Sequence, residues 1–186
     1  MQRALELDPD QWRIYRDLAE IYYRAGDNGT ALQLAASGAE RFPGNYILEL
    51  AYSKYLTVSG DYQKSLDVLE KTNVLPFEGE NTGQRLHVYN HLLLAYEQYE
   101  NGEYEQALAH IEQSERYPEN LGSGAPYDPD YRDQNRLRKM IYDKTGQRVL
   151  SLQAEQAIED YDLKHGERGG RSLFDQQFST MVIRPF

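Results

Sequence analysis

Cysteine is absent from the 186 residues, so neither a disulfide framework nor a thiolate metal site is available to this chain. Long apolar runs are missing as well. The best of them, Leu92-Leu93-Leu94-Ala95, is far short of the about 18 residues a membrane span requires, and no span is expected. Charges interrupt the first residues, Met1-Gln2-Arg3-Ala4-Leu5-Glu6-Leu7-Asp8-Pro9, and a signal peptide is not expected in them. Positive charge is in deficit: 20 basic against 30 acidic residues give a net charge of −10, an average field that repels a phosphate backbone. Nucleic acid is therefore not an expected partner.

Catalytic machinery is equally hard to find. There is no thiol, no serine–histidine context and no cluster of metal-binding side chains, and carboxylates spread through a helical pattern are mostly solvated faces. Gly166-x2-Gly169-Gly170-Arg171-Ser172 has the glycines of a phosphate loop but lacks its lysine and follows a helical pattern instead of a strand. The expectation is a chain that is not an enzyme and carries no cofactor and no metal.

What the chain does have is tyrosine and a period. Sixteen Tyr against five Phe and one Trp supply many rings that keep a polar end near water, which suits thin two-layer packing. Pro9 and Pro43 are 34 residues apart, as are Gly26 and Gly60. The stretches Ala25-Gly26-Asp27 and Ser59-Gly60-Asp61 are followed by Asn101-Gly102-Glu103 and Thr145-Gly146-Gln147. Each reads as a tight turn between antiparallel helices, where glycine takes the left-handed conformation ending one helix and the next polar residue starts the other. The flanks agree, with Ile14, Leu18, Ile21 and Tyr22 before Gly26 and Ala31, Leu32, Ala35 and Ala39 after it at helical spacing. Small residues (Ala19, Ala31, Gly38, Ala95, Ala107) fall where helices must approach closely.

Tyr15-x2-Leu18-Ala19-x2-Tyr22, then Ala31, then Pro43, resembles the tetratricopeptide pattern W-x2-L-G-x2-Y…A…P, with Tyr15 in place of the tryptophan and Ala19 in place of the glycine. The third unit, His91-x2-Leu94-Ala95-x2-Gln98…Ala107-x3-Ile111…Pro118, matches more loosely. The second keeps Leu66 and Leu69 but has Ser65 for the alanine, and the fourth keeps Tyr142, Gly146 and Leu152. The resemblance implies an all-α fold, a right-handed superhelical solenoid of antiparallel helical hairpins. It assigns residues 1–162 to the repeats, as a half repeat at 1–11 and hairpins at about 12–45, 46–79, 80–120 and 129–162. Residues 163–186 are expected to form a linker followed by a C-terminal cap or tail. Within it, Ser172 opens a helical pattern carrying Phe174, Phe178, Met181 and Val182. Half a repeat at the start is expected to mark a segment of a longer protein.

Two stretches lengthen the period: Pro76-Phe77-Glu78-Gly79-Glu80-Asn81-Thr82-Gly83, and Tyr117 through Pro129. Both lie between hairpins and are expected at one edge, as spacers or as a rim that contacts a ligand. Tyr117-Pro118-Glu119-Asn120-Leu121-Gly122, with Gly124 and Pro126 nearby, resembles large bacterial proteins in which tetratricopeptide units follow a galactose-mutarotase-like β-sandwich domain. This second resemblance implies a helical appendage that positions domains or dimerises within a carbohydrate-associated protein. It transfers no sugar-binding residue to this chain.

The tetratricopeptide resemblance implies that first helices line a concave groove that binds a protein or peptide without catalysis. Carried onto this sequence, the groove residues are Arg13, Arg16, Glu20, Tyr23 and Arg24, then Leu50 and Lys54, then Tyr89, Leu92, Tyr96 and Tyr99, then Arg136 and Met140. Tyrosine and arginine are the usual anchors of interfaces. The expected partner presents apolar anchors and some acidic residues opposite Arg13, Arg16 and Arg24; a homodimer is the other expected association. The lysine–asparagine clamp by which one subclass holds a terminal carboxylate is not reproduced, since Arg16 and Glu20 stand in those places. His87 and His91, four apart on a helix, would put two imidazoles on one face, but zinc needs a third ligand, and His91 also occupies the packing place that Tyr15 holds in the first unit.

Overall fold

The computed structural model describes residues 8–76 and 81–166, and among them lie eight α-helices and no strand. Residues 1–7 of the half repeat expected at 1–11, the centre of the first insertion (77–80) and the tail from residue 167, with Phe174, Phe178, Met181 and Val182, lie outside the described residues. The helices are α1 (Trp12–Arg24), α2 (Asn28–Arg41), α3 (Tyr46–Val58), α4 (Tyr62–Lys71), α5 (Thr82–Glu100), α6 (Tyr104–Ser114), α7 (Arg132–Lys144) and α8 (Arg148–His165).

One turn chemistry recurs four times. Gly26, Gly60, Gly102 and Gly146 have φ of 85°, 86°, 81° and 72°. The next residue's amide reaches back five positions: Asp27 to Tyr22 O at 2.9 Å, Asp61 to Leu56 O at 2.9 Å, Glu103 to Gln98 O at 2.8 Å and Gln147 to Tyr142 O at 2.9 Å. This is the 6→1 bond of the Schellman motif, which satisfies a carbonyl the helix end leaves open. A Cβ at any of the four glycines meets nothing within 4 Å, so glycine is required for its conformation and not for space. At the first turn the other half of the device is visible too, as Asp27 Oδ1 accepts from the Thr30 amide at 3.0 Å and caps α2.

The described residues divide into two compact units. The first comprises 8–76, 81–90 and 117–124. Its helices α1 to α4 pack consecutively, and α1 also touches α3. Ala19, Ala31 and Ala35 are completely enclosed, and their small size lets α1 and α2 close up with Tyr55 of α3 in the same cluster. Gly38 of α2 lies so near α1 that an added Cβ would stand 2.9 Å from Tyr15 Cβ. Tyr15 itself is buried and meets the Phe42 ring edge-on at 5.8 Å. A buried polar knot of Ser53, Thr57, Ser65 and Asn90 joins α3, α4 and the first part of α5.

The first part of the insertion beginning at Tyr117 is tied down within the first unit. Leu121, in a short 3-10 turn (Glu119–Leu121), is 1% exposed and lies against Gly83. The Asn120 amide donates to Leu69 O at 2.9 Å and Thr72 O at 2.8 Å, while its backbone carbonyl accepts from Val74 N at 2.8 Å. The open carbonyls at the end of α4 are the reason this segment is drawn in.

The second unit comprises 91–116 and 125–166 of the described residues. Leu92, Ala95, Ala107, Ile111, Leu137 and Ile141 are wholly enclosed there. α7 and α8 form an antiparallel hairpin, and Arg138 ties α7 to the end of α6 through a two-pronged pair with Glu115 at 2.5 and 2.9 Å. Arg132 binds Asp130 at 2.7 Å and Asp162 at 2.5 Å, under the Tyr161 ring at 4.7 Å. Lys164 and His165, which the sequence assigns to a polar link, are instead the last turn of α8. Both side chains hold Asp128, and the positive charge of Lys164 suits a helix C-terminus.

Candidate functional site

The exposed stripe of α1 is built by spacing. Arg13, Arg16, Asp17, Glu20 and Arg24 recur at intervals of three and four and therefore share one face. Arg13 stacks over the Trp12 ring at 4.6 Å and Arg16 at 5.4 Å, and Arg16 Nε also donates to Asp17 Oδ1 at 2.8 Å. One turn further on, Glu20 collects three donors: Arg24 Nε at 2.8 Å, Lys54 Nζ at 2.8 Å and Tyr55 Oη at 3.1 Å. Lys54 and Tyr55 belong to α3, so this carboxylate bridges two first helices, and Glu20 and Lys54 are 34 positions apart, one repeat period.

Burial and pairing compete at this cluster. Burial raises the Glu20 carboxyl, but its bonds from Lys54, Arg24 and Tyr55 outweigh that and leave it below the ordinary carboxyl value. Lys54 moves down, chiefly because burial disfavours its charge, with Glu20 opposing. Its ammonium lies 4.9 Å from the Tyr23 ring centre and 4.8 Å from that of Tyr55, a cation held between two π faces. Burial and the Glu20 charge together push the Tyr55 phenol up, and Tyr23 moves the same way.

The structure thus brings Glu20, Tyr23, Arg24 and Lys54 together and sets Arg13 and Arg16 beside them on the same helix face. Other residues expected in the groove are placed differently. Leu50 is 6% exposed, near Gly83, and Leu92 is fully enclosed; both are core side chains and present nothing to a ligand. Lys54 is almost as deeply buried, at 7%, and is engaged by Glu20. Tyr89 is half-buried on α5 in the first unit. In the second unit Tyr96 and Tyr99 are neighbours at 6.1 Å, and Tyr99 continues the row to Tyr104 at 6.0 Å. Burial and then Glu100 raise the Tyr96 phenol. Arg136 turns to Asp133 of its own helix at 3.4 Å, and Met140 is half-buried on the same helix.

Two participants are missing from the set that the sequence suggests. Trp12 begins the α1 stripe as the stacking surface for both arginines. Tyr55, next to Lys54 on α3, is buried and donates its phenol to Glu20. His91 Nδ1 meets His110 Nδ1 at 2.9 Å, with ring centres 5.1 Å apart, so the nitrogens point at one another as in a hydrogen bond. A shared metal would need both lone pairs to converge on a third point. Among the described residues no three His, Asp or Glu side chains are grouped to hold a metal ion, and no helix is long and apolar enough to cross a membrane.

Consecutive antiparallel helices joined by one repeated glycine turn define an all-helical repeat protein. A family model described as tetratricopeptide repeat matches residues 1–33, which reaches through α1 into α2, and that match together with the helical architecture fits a tetratricopeptide repeat protein. No curated protein and no solved structure matches the chain.

Proposed function

We propose that the face shared by α1 and α3 docks a protein segment that carries acidic side chains beside apolar ones. The tetratricopeptide match suggests a protein-interaction scaffold, and this reading assigns the interaction to a particular surface. The observation that carries it is the Glu20 cluster, which joins two successive first helices into one partly exposed, aromatic and basic surface. Arg16 and Arg24 keep 41% and 76% of their side-chain surface in water, and each is paired with a neighbour on its own helix. Such exposed pairs contribute about 0–1 kcal/mol, so a partner carboxylate can exchange for Asp17 or Glu20 at little cost. Ile21, 41% exposed, and the half-buried Tyr23 supply apolar area on either side of the charged stripe.

The test is capture from a lysate followed by titration of the captured protein against parent and variant chains. Arg16→Ala combined with Arg24→Ala is expected to weaken the captured partner about tenfold or more and to flatten its salt dependence, with helicity unchanged by circular dichroism. Tyr96→Ala, made separately, tests the tyrosine row of the second unit. An unchanged affinity in the double arginine variant, with the same captured proteins, would sink the assignment to this face.

A further inference from the structure

Trp12 is the only tryptophan of the chain, and two arginines of its own helix share its ring. The Arg13 and Arg16 guanidinium carbons lie 4.6 and 5.4 Å from the ring centre, which keeps the two charges within about 10 Å of each other. A guanidinium lying over a ring offers it a flat face, whereas its N–H groups lie in its plane and stay available at the edge. At Arg16 that edge is held by Asp17, whose Oδ1 alone takes both Nε at 2.8 Å and Nη2 at 2.7 Å. Arg13 is exposed, and no carboxylate of the described residues pairs with it. Two guanidiniums and one carboxylate leave a surplus positive charge here, in a chain whose net charge is −10.

We propose that Arg13 and Arg16 bind a phosphorylated side chain of the docked segment, with Asp17 as the group it displaces. The assignment rests on the docking face proposed above and names the acidic group which that face reads. A carboxylate has two oxygens and one charge, and a single guanidinium satisfies it. A phosphoryl group has three oxygens and a charge of about −1.5 to −2 at neutral pH, so it can take the edges of two arginines at once. Asp17 keeps 58% of its side-chain surface in water and gives way at little cost. Its departure leaves two positive charges, which a dianion matches. Without a ligand, Asp17 relieves the repulsion between the two arginines. Both arginines are too open to water to hold a small free anion tightly, so the rest of the segment has to supply contacts. A membrane of anionic lipid is disfavoured by the net charge of the chain.

Trp12 reports on its own site, because no other tryptophan contributes to the emission. The full chain is titrated at constant ionic strength with a peptide carrying one phosphoserine flanked by leucines, with its serine and glutamate counterparts, and with inorganic phosphate. The phosphoserine peptide is expected to change the emission saturably and to bind about tenfold or more tighter than the other three. Arg13→Ala and Arg16→Ala should each weaken it about tenfold, with helicity unchanged by circular dichroism. Asp17→Asn should tighten it several-fold, which a merely structural Asp17 would not do. Affinity should fall between pH 7.5 and 5.5, because the phosphoryl group gains its second proton near about pH 6. Equal affinity for the phosphoserine and glutamate peptides would overturn the proposal and leave the docking face as a reader of carboxylates. Inorganic phosphate that binds as tightly as the peptide would overturn it in favour of a free-anion site. Sedimentation of the chain with vesicles of phosphatidic acid and phosphatidylcholine would overturn it in favour of a lipid headgroup. No response to any probe overturns it too, and the captured partner then decides the docking face by itself.

Discussion

The side-chain amide of Asn90 donates to the Ser65 hydroxyl at 2.9 Å, and neither residue has any surface exposed to water. Ser65 occupies the place where the repeat pattern has alanine. Its hydroxyl is satisfied by Ser53 and Asn90 and stands 3.0 Å from Thr57 Oγ1, while Thr57 donates to Asn90 Oδ1 at 2.9 Å. The departure from the pattern is thus matched by a complementary polar group on α5, 25 residues away. A buried polar set that is fully bonded costs little; one that is half bonded costs the desolvation of every group left over.

Asn90→Ala is therefore expected to destabilise the chain by about 1–3 kcal/mol, because it removes one partner each from the Ser65 and Thr57 hydroxyls, which keep Ser53, and leaves a gap in a dry site. Ser65→Ala, which restores the pattern residue, should cost less, about 1 kcal/mol. The double variant Ser65→Ala/Asn90→Ala should lose less than the two single changes together, since fewer polar groups remain unpaired. Urea unfolding of the parent and the three variants measures the cycle, and strictly additive losses would contradict a coupled network.

The helices and their turns are legible in the sequence because both signals are local. A glycine followed by an aspartate, glutamate or glutamine, flanked by three-and-four spacing, encodes the same turn at Gly26, Gly60, Gly102 and Gly146. The candidate surface is legible only in part. Sequence alone puts Lys54 in water because lysine usually lies there, but its charge is satisfied 34 positions away by Glu20, which allows the stem to be enclosed. For Leu50 and Leu92, periodicity places a side chain on a helix face but does not say what covers it. The clasp at Asn120 depends on carbonyls about 50 residues earlier, and no periodicity links such distant positions.

Gly38→Ala should destabilise, against the usual rule that alanine stabilises a helix interior by about 1 kcal/mol over glycine. The new Cβ would lie 2.9 Å from Tyr15 Cβ and 3.2 Å from Leu48 Cδ2, and the first of these is anchored to the backbone of α1. A cost of about 1–3 kcal/mol is expected from the forced separation of α1 and α2. The same helix supplies its own control at Gly29, which is exposed and where a Cβ meets only Asp27 Oδ1 at 3.8 Å. Gly29→Ala should accordingly be neutral or stabilising in the same denaturation assay. Equal losses at both positions would refute close helix approach as the cause.

Stability should fall as pH drops below about 6.5, through the His91–His110 contact. Burial holds the His110 pKa below its ordinary value of 6.5, so between that depressed value and 6.5 the unfolded chain binds more protons than the folded one. The contribution of neutral His110 is complete above 6.5 and is lost as pH falls through the folded value. A second proton between nitrogens 2.9 Å apart would also replace a hydrogen bond by repulsion. Urea midpoints at pH 7.5 and 5.5 should differ in the parent, and the difference should shrink in His110→Gln. An undiminished difference in that variant would assign the effect to other groups.

Asn120→Asp is expected to open the clasp at the end of α4. It exchanges an amide that donates to Leu69 O and Thr72 O for a carboxylate facing the same carbonyls. A loss of about 1–3 kcal/mol follows from the unsatisfied acceptors and the unfavourable end of the helix dipole. Proteolysis should then begin within 117–124 and around Val74, at sites cut more slowly in the parent. Leu121→Ala should give the same cleavage pattern by removing the enclosed anchor.

Glu20 and Lys54 separate a structural role for the α1–α3 cluster from a binding role. Lys54 retains 9% of its side-chain surface and Glu20 28%, so deleting the carboxylate leaves an ammonium largely cut off from water. Glu20→Ala should cost about 1–3 kcal/mol, less than the about 3–5 kcal/mol typical of breaking a fully buried pair, because water reaches the Glu20 side. Lys54→Met keeps the stem between Tyr23 and Tyr55 and removes the charge, and should lie within about 1 kcal/mol of the parent. The Glu20 contribution should be complete above its ordinary carboxyl value of 4.5 and lost as pH falls through the lower folded value. If Lys54→Met proves the costlier change, the ammonium between the two rings, and not its pairing with Glu20, is what joins α1 to α3. If both variants keep their stability yet lose a partner that the parent retains, the cluster is a recognition element whose charges are held ready for a ligand.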